Sequence, residues 1–203
     1  MRNNVNDEKT WVLQAQNGSD EAFTYLVETY QTPVYNLCYR MLGHAESAED
    51  AAQETFLRAY QHIRRYDPQR PFATWLLSIA AHYCIDRMRR KKLPAFSVDE
   101  NEENTFSIPD AGAPLPEMEA IQGEHRERIH ALLGHLDTID RAAIVMRYWY
   151  DFSEKEIAES LNLTISAVKS RLHRARKKLG NIWEESATPA HVERRIYDES
   201  PAF

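Results

Sequence analysis

"SEKEIAESLNLTISAVKSRLHRARKKL", residues 153–179, contains the signals that decide how the C-terminal part of this chain folds. Ser153 followed by Glu156 has the spacing of a capping box, which predicts the start of a short helix over 154–161. The letters NLT break that helix, and their threonine is placed to cap a second helix over 165–182. Apolar residues recur in the second helix at intervals of three and four, which predicts one buried face. That face consists of Ile165, Val168, Leu172, Ala175 and Leu179.

The opposite face of the second helix is basic. Residues 163–179 contain six Lys or Arg and no acid, although the whole chain has a formal net charge of −6. Lys and Arg neutralise DNA phosphates, and Arg can also bond a guanine edge in the major groove. A solvated basic face is the other interpretation, but the capped partner helix favours a DNA-binding helix-turn-helix. The face consists of Ser166, Lys169, Ser170, His173, Arg174 and Lys177, with Arg171 beside it.

Charge is distributed unevenly along the rest of the chain. Residues 64–92 carry eight bases and two acids, whereas residues 93–120 carry seven acids and no base. Two basic segments in an acidic chain indicate two separate contacts with a polyanion.

Almost every periodic segment has helical spacing, and none alternates convincingly like a strand. We therefore predict an all-α protein with two small helical domains, residues 1–92 and 121–182, the second containing the helix-turn-helix. The acidic stretch 93–120 holds four of the nine prolines and is typical of a flexible linker, and a tail follows at 183–203. The predicted helices are 20–31, 33–42, 48–63 with Ser47 as its cap, 72–90, 121–135, 138–149, 154–161 and 165–182.

Composition excludes several other classes. No run approaches the roughly 18 apolar residues of a membrane span, and the N-terminus lacks the apolar stretch of a secretory signal. We expect a cytoplasmic protein whose Cys38 and Cys84 are free thiols rather than a disulfide or metal ligands. There is no metalloprotease, P-loop or serine-hydrolase motif, so we expect no catalysis, no metal and no cofactor.

Three stretches of the chain together have the pattern of a known family. They are "AEDAAQETFLRAY" at 48–60, "PFATWLLSIAAHYCIDRMRRKK" at 71–92, and "LDTIDRAAIVMRYWYDFSEKEIAESLNLTISAVKSRLHRARKKL" at 136–179. These stretches resemble the sigma-70 family, and the two-domain length resembles its extracytoplasmic-function (ECF) group of alternative sigma factors. The resemblance implies a protein that binds core RNA polymerase and directs promoter-specific initiation, commonly under the control of an anti-sigma factor.

The outward face of helix 48–63 combines an apolar side chain with acids and amides, which is typical of a protein-binding surface. The resemblance implies that this face docks on the clamp helices of the beta-prime subunit of polymerase. An ordinary solvated face with a stray leucine is the alternative. The face consists of Asp50, Gln53, Glu54, Leu57 and Arg58.

The resemblance implies that the helix beginning at Phe72 and the loop before it recognise and melt the −10 promoter element. A base must leave the stack to be read this way, and the loop Tyr66–Pro71 is placed to receive it. His82 departs from the asparagine that is usual in the family. Trp75 suits either core packing or base stacking. The candidate residues are Arg64, Arg65, Arg70, His82, Asp86, Arg89 and Arg90.

The same resemblance aligns the basic helix with the part of the family that contacts the −35 element. We expect Arg174 to contact a guanine, Lys169 and Arg171 to contact phosphates, and His173 to contact the backbone or a thymine methyl. A dimeric helix-turn-helix repressor would explain 153–179, but it would leave the other basic segment and Leu57 without a role. The linker suits either the RNA-exit path of polymerase or a plain spacer. The tail suits either a disordered terminus or an arm that packs on the chain or an inhibitor.

Overall fold

Helices account for all the regular structure in residues 5–92 and 127–187, the parts of the chain that the computed structural model describes. The predicted all-α fold is confirmed. The linker 93–120 and most of the tail lie outside the described residues. The helices are α1 (Val5–Gln16), α2 (Asp20–Leu42), α3 (Ala45–His62), α4 (Phe72–Lys92), α5 (127–134), α6 (Thr138–Trp149), α7 (Glu154–Leu161) and α8 (Ile165–Ala187), with a 3-10 turn at Ile63–Arg65.

The second helix, α2, is continuous, so the prediction of two helices over 20–31 and 33–42 is wrong. Pro33 lies inside α2. Proline removes one backbone donor from a helix, but buried residues on both sides of it, Leu26 and Leu37 among them, hold α2 against its neighbours. Gly43 ends the helix, as expected, with a left-handed φ of 89° and its N–H bonded to the Tyr39 carbonyl. A Cβ at Gly43 would overlap the His130 ring, so glycine is required here by conformation and by space.

The third helix, α3, begins at Ala45, and the prediction that Ser47 caps a helix starting at 48 is wrong. Ser47 lies inside the helix and is buried. Its hydroxyl accepts a hydrogen bond from the Arg87 guanidinium of α4 at 3.2 Å. Ser47, which the local spacing predicts as a helix cap, therefore bonds Arg87, a residue 40 positions away in sequence.

The helix-turn-helix follows the sequence closely. Ser153 and Glu156 form the predicted capping box, and the Thr164 hydroxyl accepts from the Ala167 N–H at 3.2 Å. The predicted burial of Ile165 is wrong: it is the first residue of α8 and is 45% exposed, so the buried face begins at Val168. The predicted end of the helix at 182 is also wrong, because α8 continues to Ala187 and includes the first residues of the proposed tail.

The two halves of the chain contact each other along α2 and α4. Arg141 of α6 is only 6% exposed, and its Nη1 donates to the Met41 carbonyl at the end of α2 at 2.7 Å. Burial lowers the pKa of this guanidinium. The Tyr150 hydroxyl donates to the Pro33 carbonyl at 2.6 Å. Among the helices described here, none is long and apolar enough to cross a membrane.

Candidate nucleic-acid interface

The basic face of α8 is open to solvent. The candidates Ser166, Lys169, Ser170, His173, Arg174 and Lys177 are all exposed, while Val168, Leu172 and Ala175 on the other side of the helix are buried. This separation follows from the interval of three and four residues between the apolar positions. The helix therefore presents one continuous polar and basic surface along its first four turns.

Arg171 differs from the other bases of α8 because it contacts the neighbouring helix. Its Nη1 lies 2.7 Å from Asp140 and 3.7 Å from Asp137, the residue whose carboxylate caps α6. Burial alone would raise the pKa of Asp137, but the backbone N–H groups of Asp140 and Ile139 and the charge of Arg171 together lower it. Arg171 thus joins α8 to the N-terminus of α6.

Lys169 makes a weaker contact within the motif. Its ammonium lies 3.6 Å from the Glu154 carboxylate of α7, and the side chains of Lys169 and Glu154 are 63% and 40% exposed. Exposed pairs of this kind contribute little to stability, so Lys169 remains available to an anionic ligand.

The second basic surface lies on the loop before α4 and on α4 itself. Arg64, Arg65, Arg70, Arg89 and Arg90 are exposed. Within the loop, the Tyr66 hydroxyl donates to the Arg70 carbonyl, and the Tyr66 ring packs on Phe72 and Trp75 with centroids 5.5 and 4.8 Å away. Trp75 is half-buried in this aromatic cluster. Arg64, Arg65 and Arg70 therefore lie in or beside a loop whose tyrosine is fixed against α4, while Arg89 and Arg90 lie near the other end of α4.

His82 and Asp86 lie one turn apart on α4. His82 Nδ1 lies 2.9 Å from the Ser78 carbonyl oxygen. A carbonyl can only accept, so Nδ1 must carry the proton, and in the neutral ring Nε2 is then an acceptor. Asp86 is exposed and its carboxylate also accepts. The pair offers acceptors to a ligand that carries amino groups.

The face of α3 is exposed at its centre. Leu57 is 52% exposed, between Arg58, which bonds Glu54 at 2.7 Å, and the exposed Asp50 and Gln53. Tyr60 lies one turn further on, is also exposed, and donates its hydroxyl to Asp20 at 2.7 Å. The sequence analysis missed Tyr60, although its position three residues after Leu57 places it on the same side of the helix.

Acidic residues of α7 contact the start of α4. The Glu159 carboxylate lies 3.8 Å from the Arg70 guanidinium, and the Thr74 hydroxyl donates to Glu156 at 3.4 Å. The helix-turn-helix domain therefore contacts the second basic surface at Arg70, whose side chain stays 60% exposed.

Comparisons with known proteins place this architecture in a family. The family model for sigma-70 region 2 matches residues 26–93, and that for sigma-70 region 4 matches residues 126–179. The ECF RNA polymerase sigma factor SigW of Bacillus subtilis is 39% identical over 176 residues, which cover 84% of this chain and 94% of SigW. This chain belongs to the ECF group of the sigma-70 family.

Other proteins similar to this ECF sigma factor are also sigma factors. The sigma factor CnrH of Cupriavidus metallidurans is 32% identical over 82% of this chain and 88% of its own. A solved structure of CnrH with the cytosolic domain of CnrY matches with a TM-score of 0.65 and 25% identity, covering 89% of this chain and 99% of CnrH. RpoE of Bartonella quintana, solved with the anti-sigma factor NepR, has the same fold, with a TM-score of 0.59 and 19% identity over 80% and 96% of the two chains.

Two conclusions follow for this ECF sigma factor. It directs promoter-specific initiation by RNA polymerase, and it is not an enzyme. Helix α1 precedes the region 2 match, and the last turns of α8 follow the region 4 match.

Proposed function

We propose that the two DNA-facing surfaces of this ECF sigma factor divide the promoter between them. The N-terminal domain, residues 1–92, recognises and melts the −10 element, and the helix-turn-helix domain, residues 121–182, recognises the −35 element. The observation that carries this division is the presence of two exposed basic surfaces, one on each domain, within the two stretches that match region 2 and region 4.

At the −35 element, the exposed face of α8 enters the major groove. Arg174 is placed to bond a guanine edge, and Lys169 and Lys177 to bind phosphates on either side. Ser166, Ser170 and His173 complete the face. Arg171 stays a candidate for a phosphate contact, although two carboxylates already balance its charge.

At the −10 element, the loop Tyr66–Pro71 receives a base that leaves the stack, while Arg64, Arg65, Arg70, Arg89 and Arg90 attract the strand backbone. The acceptors of His82 and Asp86 suit bases that carry an exocyclic amino group, which are adenine, cytosine and guanine but not thymine. We therefore expect thymine to be disfavoured at the position that meets this pair.

The α3 face binds core polymerase at the clamp helices of the beta-prime subunit. An exposed leucine within a polar ring that includes Asp50, Gln53, Glu54 and Arg58 has the anatomy of a binding hot spot. Leu13 of α1 offers a matched control, because it is 51% exposed against 52% for Leu57. Leu57→Asp should abolish association with core enzyme while Leu13→Asp leaves it intact.

Control by an anti-sigma factor is the remaining part of the proposal. CnrH is known bound to a domain of a second protein, and RpoE, with the same fold, is known bound to an anti-sigma factor. We infer that an anti-sigma factor holds this chain inactive. We also infer that this chain acts in the cytoplasm, where polymerase and promoters are.

The experiment that tests the division is initiation by core polymerase in the presence of this protein on a promoter library, followed by sequencing of the transcripts. The expected result is two conserved elements upstream of each start, of which the downstream one changes when α4 is altered and the upstream one when α8 is altered. Strong binding to operator DNA without polymerase, together with no transcription, would contradict it.

A further inference from the structure

The loop that precedes α4 is fixed in place by hydrogen bonds from a side chain of α1. The Gln16 side-chain amide donates to two backbone carbonyl oxygens of the loop, at 3.0 Å to Ile63 and 2.7 Å to Tyr66. The Ile63 carbonyl also accepts from the Tyr66 N–H at 3.0 Å, which closes the 3-10 turn, whereas the Tyr66 carbonyl lies just after the turn, where the chain leaves helical structure. One side chain, 47 and 50 residues away in sequence, therefore bonds both ends of the turn.

We propose that Gln16 is a positioning residue for base capture at the −10 element. Its two hydrogen bonds fix the backbone of the loop that carries Tyr66 and Arg70, so that the loop has its binding conformation before a base enters it. This inference rests on the proposed role of the loop in receiving a base. It assigns a task to α1, which lies outside the stretch matched by region 2.

Other contacts make α1 a rigid support. Val12 and Ala15 of α1 are buried in the core, and the Glu8 carboxylate accepts from the Tyr30 hydroxyl at 2.5 Å. On the opposite side of the loop, the Tyr66 ring packs against Phe72 and Trp75 of α4. The loop is thus held by its backbone from α1 and by an aromatic side chain from α4. Fixing a loop in its bound shape before binding lowers the ordering cost that the ligand must offset.

The chemistry of the contact restricts the residue type. A Gln amide carries two N–H donors, one for each carbonyl, whereas Glu has the same shape but no donor when ionised. Gln16→Glu would place a carboxylate against two carbonyl oxygens. Gln16→Met would remove the side-chain donor from both carbonyls, leave the Ile63 carbonyl its bond from the Tyr66 N–H, and add no charge. The matched control is Gln14→Glu, because Gln14 lies on the same helix and is exposed.

The experiment uses full-length protein in holoenzyme with core polymerase. Each base of the −10 element is varied in turn, and strand opening is followed by a fluorescent base analogue. With wild-type protein, one −10 position should show the strongest base preference. Gln16→Glu should reduce the preference at that position by about tenfold, and Gln16→Met by less, while preference at the −35 element and affinity for core enzyme match those of Gln14→Glu.

Two outcomes would overturn the inference. In the first, Gln16→Glu and Gln16→Met weaken opening equally at all −10 bases together with core affinity, which identifies a fold-stabilising residue only. In the second, both variants retain the full preference of wild type. A failure of the proposed function is seen separately, since wild-type holoenzyme would then show no base preference at any −10 position.

Discussion

The two surfaces that we propose contact the −35 and −10 promoter elements are built in different ways. The −35 surface lies on consecutive turns of one helix, α8, and its candidate residues except Arg171 are exposed. The −10 surface consists of the loop after α3 and of α4, with α1 supporting the loop through Gln16 and α7 contacting Arg70 and Thr74. A surface on one helix can be altered one residue at a time, whereas an assembled surface depends on contacts that lie far away in sequence.

The largest effect is expected where α8 meets a base edge. Arg174→Ala should cost about 1–3 kcal/mol of discrimination at one −35 position, because a bidentate contact to guanine is lost. Initiation rates on promoters in which each −35 base is changed would measure it. The control Arg176→Ala removes the same charge beside the basic face and should lower initiation equally on all of these promoters. If Arg174→Ala and Arg176→Ala gave the same dependence on the −35 bases, the assignment of Arg174 to a guanine would be contradicted.

A comparison of Arg171 with Lys169 tests whether all bases of α8 are equivalent. Arg171→Ala should lower the free energy of unfolding of the helix-turn-helix domain by about 1–3 kcal/mol, because the Asp140 carboxylate loses its 2.7 Å partner. Lys169→Ala should leave stability unchanged and reduce the salt dependence of DNA binding by about one phosphate contact. Thermal unfolding would measure the change in stability, and a salt titration of DNA binding would measure the change in phosphate contacts. A loss of stability in Lys169→Ala, with a reduced salt dependence in Arg171→Ala, would contradict the prediction.

A smaller effect on DNA affinity is expected from the contact between α7 and the −10 surface. Glu159→Ala frees Arg70 and should raise the affinity of the free protein for single-stranded −10 DNA by about two- to fivefold, in line with the small energy of an exposed ion pair. Fluorescence anisotropy with a labelled oligonucleotide would measure it. Glu154→Ala removes the same charge from the same helix but contacts Lys169 instead, so it should not increase that affinity.

The smallest effect concerns the capping box. Hydrogen bonds from the Ser153 hydroxyl and backbone N–H lower the pKa of Glu156 below its ordinary value of 4.5. Its carboxylate therefore stabilises the folded domain above pH about 4.5, and this contribution disappears as the pH falls through the lowered pKa. Glu156→Gln should unfold at a lower temperature than wild type at neutral pH, and the difference should close in acid. A difference that is constant with pH would count against this assignment.

The same contrast explains what could be predicted from sequence. The helix-turn-helix, its capping box and its exposed basic face depend on neighbours within one or two turns, so spacing was sufficient. Ser47 and Pro33 misled the prediction because α4 and the buried faces of α2 decide their environment. The contacts of Gln16 and Arg171 are made with partners 31 to 50 residues away, and no local pattern carries that information.

Arg141 gives the contact between the two domains a further property. Removing a guanidinium from water is costly, and one hydrogen bond to a carbonyl offsets only part of that cost. Within the described residues, Arg141 has no carboxylate partner and its Nε has no hydrogen-bond acceptor. When the domains separate, this charge regains its hydration, which offsets part of the packing that is lost. The buried charge therefore makes separation of the two halves cost less free energy than their apolar contacts alone would require.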